Sequence, residues 1–214
     1  SSEKNATATL SNASAYGTVR NVQFAVWSEK NGQDDIKWYT ASKSGSNWLS
    51  TFVISNHKNT GIYNVHTYVT LSDGKLAFVS GKTFTVTTPT ATLSVGAQKS
   101  DGTAEVTLSG ISTPSGVINV QIPVWSKSDQ SNIYWYLAAK QSDGSYKAII
   151  DLDKHGYAAG TYNVHAYVTD GNNFMSYVGA KTVAMTIPKA EVTISKAANE
   201  KNATATISNA SVYG

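Results

Sequence analysis

A seven-residue stretch that occurs twice constrains this chain more than any other feature. The copies are Tyr63-Asn64-Val65-His66-Thr67-Tyr68-Val69 and Tyr162-Asn163-Val164-His165-Ala166-Tyr167-Val168. Each follows closely on a glycine, Gly61 or Gly160, and each alternates with period two. A β-strand sends successive side chains to opposite faces. One face therefore carries Tyr63, Val65, Thr67 and Val69 and reads as core. The other carries Asn64, His66 and Tyr68, a polar and aromatic surface that the second copy reproduces with Asn163, His165 and Tyr167.

The rest of the chain repeats around these strands. Asn21 to Ser28 matches Asn119 to Ser126, Ile36-Lys37-Trp38-Tyr39 matches Ile133-Tyr134-Trp135-Tyr136, and His57 matches His155. Offsets run from 97 to 99 residues, so only small loop changes separate the copies. Glu200 to Ser211 then nearly duplicates Glu3 to Ser14, the start of a third copy. The expected division is 1–88, 89–188 and a truncated third repeat over 189–214. A repeat of this length can bury its own core.

Each repeat reads as a series of strands. In the first they fall near 6–11, 19–28, 35–42, 48–54, 62–70 and 76–87. Asn31-Gly32, Ser44-Gly45, Asn59-Thr60-Gly61 and Asp73-Gly74 supply turns between them. No segment sustains a helical period. The second copy has an additional early strand over Ala91–Gly96, and Glu191–Ser195 repeats it. The first copy lacks it, because the chain begins too late. Short strands with turns every 8–12 residues predict an all-β chain of tandem immunoglobulin-like β-sandwich domains. Pro89 and Pro188 stiffen the joints, so two end-to-end domains with limited bending are expected.

Composition narrows the function. Hydrophobic residues make up 41% and charged residues 14% of the 214, and there is no cysteine. Neither a disulfide framework nor a thiolate metal site is possible. No apolar run is long enough to span a bilayer, so membrane insertion is not expected. A net charge of +3 with scattered Lys and Arg argues against nucleic acid.

Alternation sorts the aromatic residues. In the 19–28 strand, Val22, Phe24 and Val26 point inward and Trp27 outward, as does Trp125 in the second copy. A tryptophan there can cover a neighbour or act as a ligand platform, and both readings stay open. In the 35–42 strand, Ile36 and Trp38 share a face, which predicts Trp38 and Trp135 as buried sandwich tryptophans. Lys37, Tyr39, Tyr134 and Tyr136 then face outward. The expected ligand-binding set is Trp27, Tyr39, Asn64, His66 and Tyr68, with Trp125, Tyr136, Asn163, His165 and Tyr167. Flat rings stack on sugars, and Asn and His bond hydroxyls. Cross-strand pairing that merely stabilises an exposed sheet is the alternative.

Nothing points to catalysis. His57 with His66, and His155 with His165, are too few ligands for zinc. Asp34-Asp35 becomes Ser131-Asn132 in the second copy, so no acidic site is common to both. There is no Gly-x-Ser-x-Gly elbow and no cysteine nucleophile. Paired carboxylates suited to glycoside hydrolysis are absent, since the matching acids Asp73 and Asp170 lie in turns. No enzyme activity and no cofactor are expected. Sequons such as Asn5-Ala6-Thr7 arise readily in so Ser/Thr/Asn-rich a chain and carry no weight.

Val26-Trp27-Ser28, Asn31 to Tyr39, His57 and Gly61 to Tyr68 together resemble the GBS Bsp-like repeat of streptococcal surface proteins and cell-wall hydrolases. The second copy departs from the pattern at Ser131-Asn132. The resemblance implies secreted, Gram-positive, wall-associated repeats that attach a murein hydrolase to its substrate, with catalysis in a separate CHAP-type domain. That domain needs a cysteine and lies outside this chain. The implied partner is peptidoglycan or an attached glycopolymer. The alternatives are a structural spacer and a protein-binding adhesin. Residues 190–209 are expected to pair with an exposed sheet edge, on a neighbouring molecule included.

Overall fold

A computed structural model describes residues 2–187 and 189–208. Pro188 and 209–214, the rest of the expected third-repeat start, lie outside them. The described chain is built from β-strands with three short 3-10 turns. The chain divides into two compact units, one of residues 1–90 with 112–118 and 168–176, the other of residues 91–111 and 119–167 with those from 177 on.

The first repeat has seven strands: β1 (Asn5–Leu10), β2 (Val19–Ser28), β3 (Lys37–Thr40), β4 (Ser42–Ser44), β5 (Asn47–Val53), β6 (Gly61–Leu71) and β7 (Leu76–Val86). They form two sheets, with orders β1-β5-β4 and β3-β2-β6-β7. The strand pairs mapped in both sheets are antiparallel. Two such sheets packed face to face are a β-sandwich of immunoglobulin-like type. The core lies between them: Val22, Phe24 and Val26 from β2, Phe52 from β5, and Tyr63, Val65 and Val69 from β6 are all buried. The alternation of β2 and β6 predicts those inward sets.

Tyr63 marks the fold. Its ring is fully buried at the start of β6, and its hydroxyl donates to the Asn59 carbonyl at 2.5 Å. Tyr162 does the same to Ala158 at 2.6 Å. A tyrosine that enters a strand and bonds back four residues upstream is the tyrosine corner of immunoglobulin-like sandwiches. Burial pushes both hydroxyls above the ordinary tyrosine pKa, so they stay protonated donors.

The second repeat comprises β8 (Thr90–Val95), β9 (Ala104–Ser112), β10 (Val117–Trp125), β11 (Tyr134–Leu137), β12 (Ala139–Lys140), β13 (Tyr146–Ile150), β14 (Gly160–Asp170) and β15 (Met175–Met185). Its sheets have orders β12-β13-β9-β8 and β11-β10-β14-β15. This is the same sandwich with one strand more, since β8 covers the outer edge of β9. Tyr162, Val164, Ala166 and Val168 are fully buried. Beyond it, β16 (Glu191–Ser195) and β17 (Thr204–Ser208) pair with each other as a two-stranded sheet.

The structure corrects the expected parity of the 35–42 strand. Trp38 is 49% exposed and Trp135 44% exposed, so neither is the buried core tryptophan. The strand begins at Lys37, and Ile36 precedes it. Parity therefore does not run through Ile36, and pairing Ile36 with Trp38 on one face is wrong. In β3, Tyr39 lies opposite the buried Phe24, and Trp38 lies opposite Ala25. Residues directly opposed in antiparallel strands share a face. Lys37 and Tyr39 thus belong to the inner face, and Trp38 to the outer one.

Candidate functional site

The outer face of the β3-β2-β6-β7 sheet is set by register. Trp27 lies opposite Asn64, and Ala25 opposite His66. Tyr68 lies opposite Phe78, and His66 opposite Gly81. Five rings meet there. Trp27 meets His66 edge-on with centroids 4.7 Å apart, and Trp38 lies 5.1 Å from Tyr68. Phe78 stands 5.2 Å from His66 and 5.5 Å from Tyr68. Trp27 is only 8% exposed, whereas Phe78 is 55% exposed. Trp38 and Phe78 are therefore the open part of the face. Trp27 and His66 form its floor, and Asn64 offers amide groups at one end.

The second repeat builds the same constellation from different atoms. Trp125 meets His165 at 4.6 Å, and Trp135 lies 5.6 Å from Tyr167. Tyr177 takes the place of Phe78, at 5.4 Å from His165 and 5.6 Å from Tyr167. Each such ring pair contributes about 0.5–1.5 kcal/mol beyond its area burial. Gly81 leaves room for the first of these floors: a Cβ there would stand 3.1 Å from the His66 ring. The second repeat has Ala180 at the matching position, and its histidine holds nearly the same place against Trp125 and Tyr177.

Of the expected ligand set, the structure puts Trp27, Asn64, His66, Tyr68, Trp125, Asn163, His165 and Tyr167 on this outer face. Tyr39 and Tyr136 do not belong to it. They turn inward, and with them Lys37 and Tyr134 leave the face as well. Trp38, Phe78, Trp135 and Tyr177 join it. A bulge hides Phe78 from simple alternation: the β6–β7 register shifts between Thr67 and Tyr68, so Phe78 and Ser80 point to opposite sides despite an even spacing. The matching aromatics at 78 and 177 were the available signal.

Tyr39 and Tyr136 serve a buried corner. The Nδ1 of His57 lies 3.2 Å from the Asp35 carbonyl, which can only accept, so Nδ1 carries the proton. Nε2 then accepts from the Tyr39 hydroxyl at 3.1 Å. His155 repeats this with the Asn132 carbonyl at 2.9 Å and the Tyr136 hydroxyl at 2.9 Å. Burial lowers the pKa of both histidines below the ordinary value, and in the first repeat the nearby Asp35 carboxylate opposes that shift. The neutral form suits the donor–acceptor pattern.

Asp35 is itself a fastener. Its carboxylate accepts from the Ser28 amide at 2.9 Å, the Ser28 hydroxyl at 2.8 Å and the Lys58 amide at 3.1 Å. In the second repeat Asn132 accepts from the Ser126 and Lys127 amides and donates to the Ser126 hydroxyl at 2.8 Å. The acid-to-amide replacement keeps a structural function. Among the described residues, no group of three or more His, Cys, Asp or Glu is placed to hold a metal. Among the described residues, no helix is long and apolar enough to cross a membrane.

Comparison with known proteins gives the chain a family. No curated protein matches it. Among solved structures, a polysaccharide deacetylase from Bacillus cereus matches with a TM-score of 0.39 and 8% identity, over 48% of this chain and 31% of that one. The chicken CNTN1 FN1-FN3 domains match with a TM-score of 0.36 and 16% identity, over 86% of this chain and 62% of that one. The fibronectin(III)-like modules of Clostridium thermocellum CbhA match with a TM-score of 0.33 and 13% identity, over 87% of each chain. This chain thus spans less than two thirds of the first two. The model of the GBS Bsp-like repeat matches residues 1–84 and again 94–183. Those two spans hold both aromatic faces and most of the sequence, and the chain belongs to the GBS Bsp-like repeat family.

Proposed function

We propose that the chain is a non-catalytic binding module of a secreted Gram-positive surface protein. Its outer faces hold peptidoglycan or an attached glycopolymer and keep a murein hydrolase on its substrate. The observation that supports this most is the duplication of the face. Trp27, Trp38, His66, Tyr68 and Phe78 reappear as Trp125, Trp135, His165, Tyr167 and Tyr177, with similar ring distances. A half-exposed tryptophan beside a half-exposed Phe or Tyr offers a flat apolar surface for a sugar ring. The edges of His and Asn supply hydrogen bonds to hydroxyls. Each face alone is shallow. Two linked faces on a polymer of repeating units raise the effective affinity without new contacts.

Sedimentation with purified Gram-positive cell wall tests the reading. The intact chain should pellet with the wall. Trp38→Ala combined with Trp135→Ala should leave most of it in solution while circular dichroism stays unchanged. An intact chain that remains in the supernatant defeats the proposal. A folded double variant that still pellets moves the site off this face.

A second reading has its own support. Trp27 is nearly buried by its neighbours, and the rings contact one another in a continuous cross-strand cluster. Such a cluster stabilises an exposed sheet with no ligand at all, as a spacer or adhesin stalk requires. In that case the two tryptophan substitutions lower stability by about 1 kcal/mol each and change no binding.

A further inference from the structure

The two aromatic faces share a property that their rings alone do not show. Register fixes which side chains point outward from the β3-β2-β6-β7 sheet. They are amides, hydroxyls, aliphatic groups and rings, with His66 among them. Among the described residues, no Lys, Arg, Asp or Glu stands at an outward position of these paired strands. The charges that border the face turn elsewhere. Lys37 lies opposite Val26 and Lys82 opposite Val65, so both belong to the inner side. Arg20 sits unpaired in the bulge between Val19 and Asn21.

The second copy keeps the exclusion. Every counterpart of those outward positions is again uncharged, with Gln121 for Gln23, Pro123 for Ala25 and Leu137 for Thr40. Arg20 itself becomes Ile118. The opposite sheet is not held to this rule. Thr7 and Leu49 there become Glu105 and Lys147, which bond at 2.9 Å. The two sandwiches thus differ in charge at the back and agree at the front.

The open rings set the shape of the face. Trp38 and Phe78 stand on its two edge strands, about 14 Å apart at the usual strand spacing. Tyr68 bridges them, 5.1 Å from one ring and 5.5 Å from the other. The result is a continuous aromatic strip across the strands, with Gln23 opposite Tyr68. A ligand laid on such a strip loses water from whatever it sets against the rings. A phosphate or carboxylate there would be desolvated with no cation to pair it, which is costly. A neutral pyranose gives up little: its C–H face lies on a ring, and its hydroxyls bond amides and ring edges. Resting on the reading that the outer faces bind a wall polymer, we propose that their ligand is an uncharged glycan segment. The phosphates and free carboxylates of the wall stay out of the contact.

Depletion of the intact chain by purified cell wall, measured across salt, tests this. Between about 50 and 500 mM NaCl the apparent Kd should change less than about threefold. A ligand held through two or three ion pairs would lose roughly tenfold or more over that range. Gln23→Lys with Gln121→Lys, and Gln23→Glu with Gln121→Glu, should both weaken binding while circular dichroism stays unchanged. Stronger binding by the lysine pair, lost again at high salt, overturns the proposal, as does a tenfold salt loss in the unaltered chain. Walls stripped of phosphodiester-linked polymers by hydrofluoric acid then identify the source. Salt-insensitive binding that survives stripping assigns the glycan strand, and salt-insensitive binding that is lost assigns an uncharged attached polymer. A chain that fails to pellet at any salt brings down the wall-binding reading and this inference together. One that pellets with steep salt dependence brings down only the class of ligand.

Discussion

In the first repeat a buried carboxylate ties two loops together, and in the second an amide at the same position ties one. Asp35 reaches both Ser28 and the Lys58 amide. Asn132 reaches only Ser126 and Lys127. The reason lies one loop away. Gly156, the counterpart of Lys58, closes a 3-10 turn over Leu152–His155, and its amide is taken up within that turn by the Asp153 carbonyl. The shorter turn in the first repeat, Ile54–Asn56, leaves the Lys58 amide to Asp35. A position that looks like a lost acid is thus a redistribution of donors, which is how one fold tolerates both residues.

That contrast can be broken directly. Asp35→Asn should cost the first repeat about 1–3 kcal/mol, because three donors then face a side chain with one accepting oxygen. Asn132→Asp should cost less than half as much, since both local amides still find an acceptor and the Ser126 hydroxyl can turn to donate. Urea denaturation of each variant measures the difference, and equal losses would mean the two corners are not organised as described.

A second difference sits at the exit of each sandwich. Glu3 clasps Thr87, accepting from its amide at 2.9 Å and its hydroxyl at 2.7 Å. Gln98 clasps Thr186 through the same two donors and also donates to its carbonyl at 2.7 Å. If the clasp needs only an accepting oxygen, Glu3→Gln leaves stability within experimental error and Glu3→Ala costs about 1 kcal/mol. A loss with glutamine as large as with alanine would show that the charge itself matters.

The smallest expected effect is a slope with pH. Both buried histidines titrate below the unfolded value of about 6.5, so in that range the unfolded chain binds more protons than the folded one. Stability should be flat above that value and decline as pH falls from it through the folded pKa values. Asn132→Asp places a carboxylate beside His155 and should reduce the decline in the second repeat. Urea midpoints between about pH 7.5 and 5 would show it, and midpoints that rise on acidification would reverse the assigned direction.

Much of this was legible in the sequence, and the exceptions have physical causes. The β2 strand alternates cleanly from Asn21 on, past a bulge at its start, and β6 does so around Tyr63 to Val69, so Val22, Phe24, Val26 and the inward face of Tyr63 could be placed without coordinates. The β3 strand is too short for that. Its apolar neighbour Ile36 stands outside it, and counting from there reversed Trp38 and Tyr39. Phe78 was missed because a bulge offsets β7 by one residue. The His57 corner was beyond pattern reading, since its partners Asp35 and Tyr39 are about 20 residues away along the chain and join it only through loop geometry.

The β8 strand has one more consequence. Family similarity begins again at residue 94, inside β8, yet the sandwich that strand completes begins at Thr90. The unit of sequence and the unit of folding are therefore out of phase by most of one strand. A gene fragment cut where the similarity starts would leave behind most of the strand that seals its own product. One cut just ahead of Pro89 would carry it along. Where such repeats are multiplied or exchanged, the short linker before each one travels as part of the module behind it.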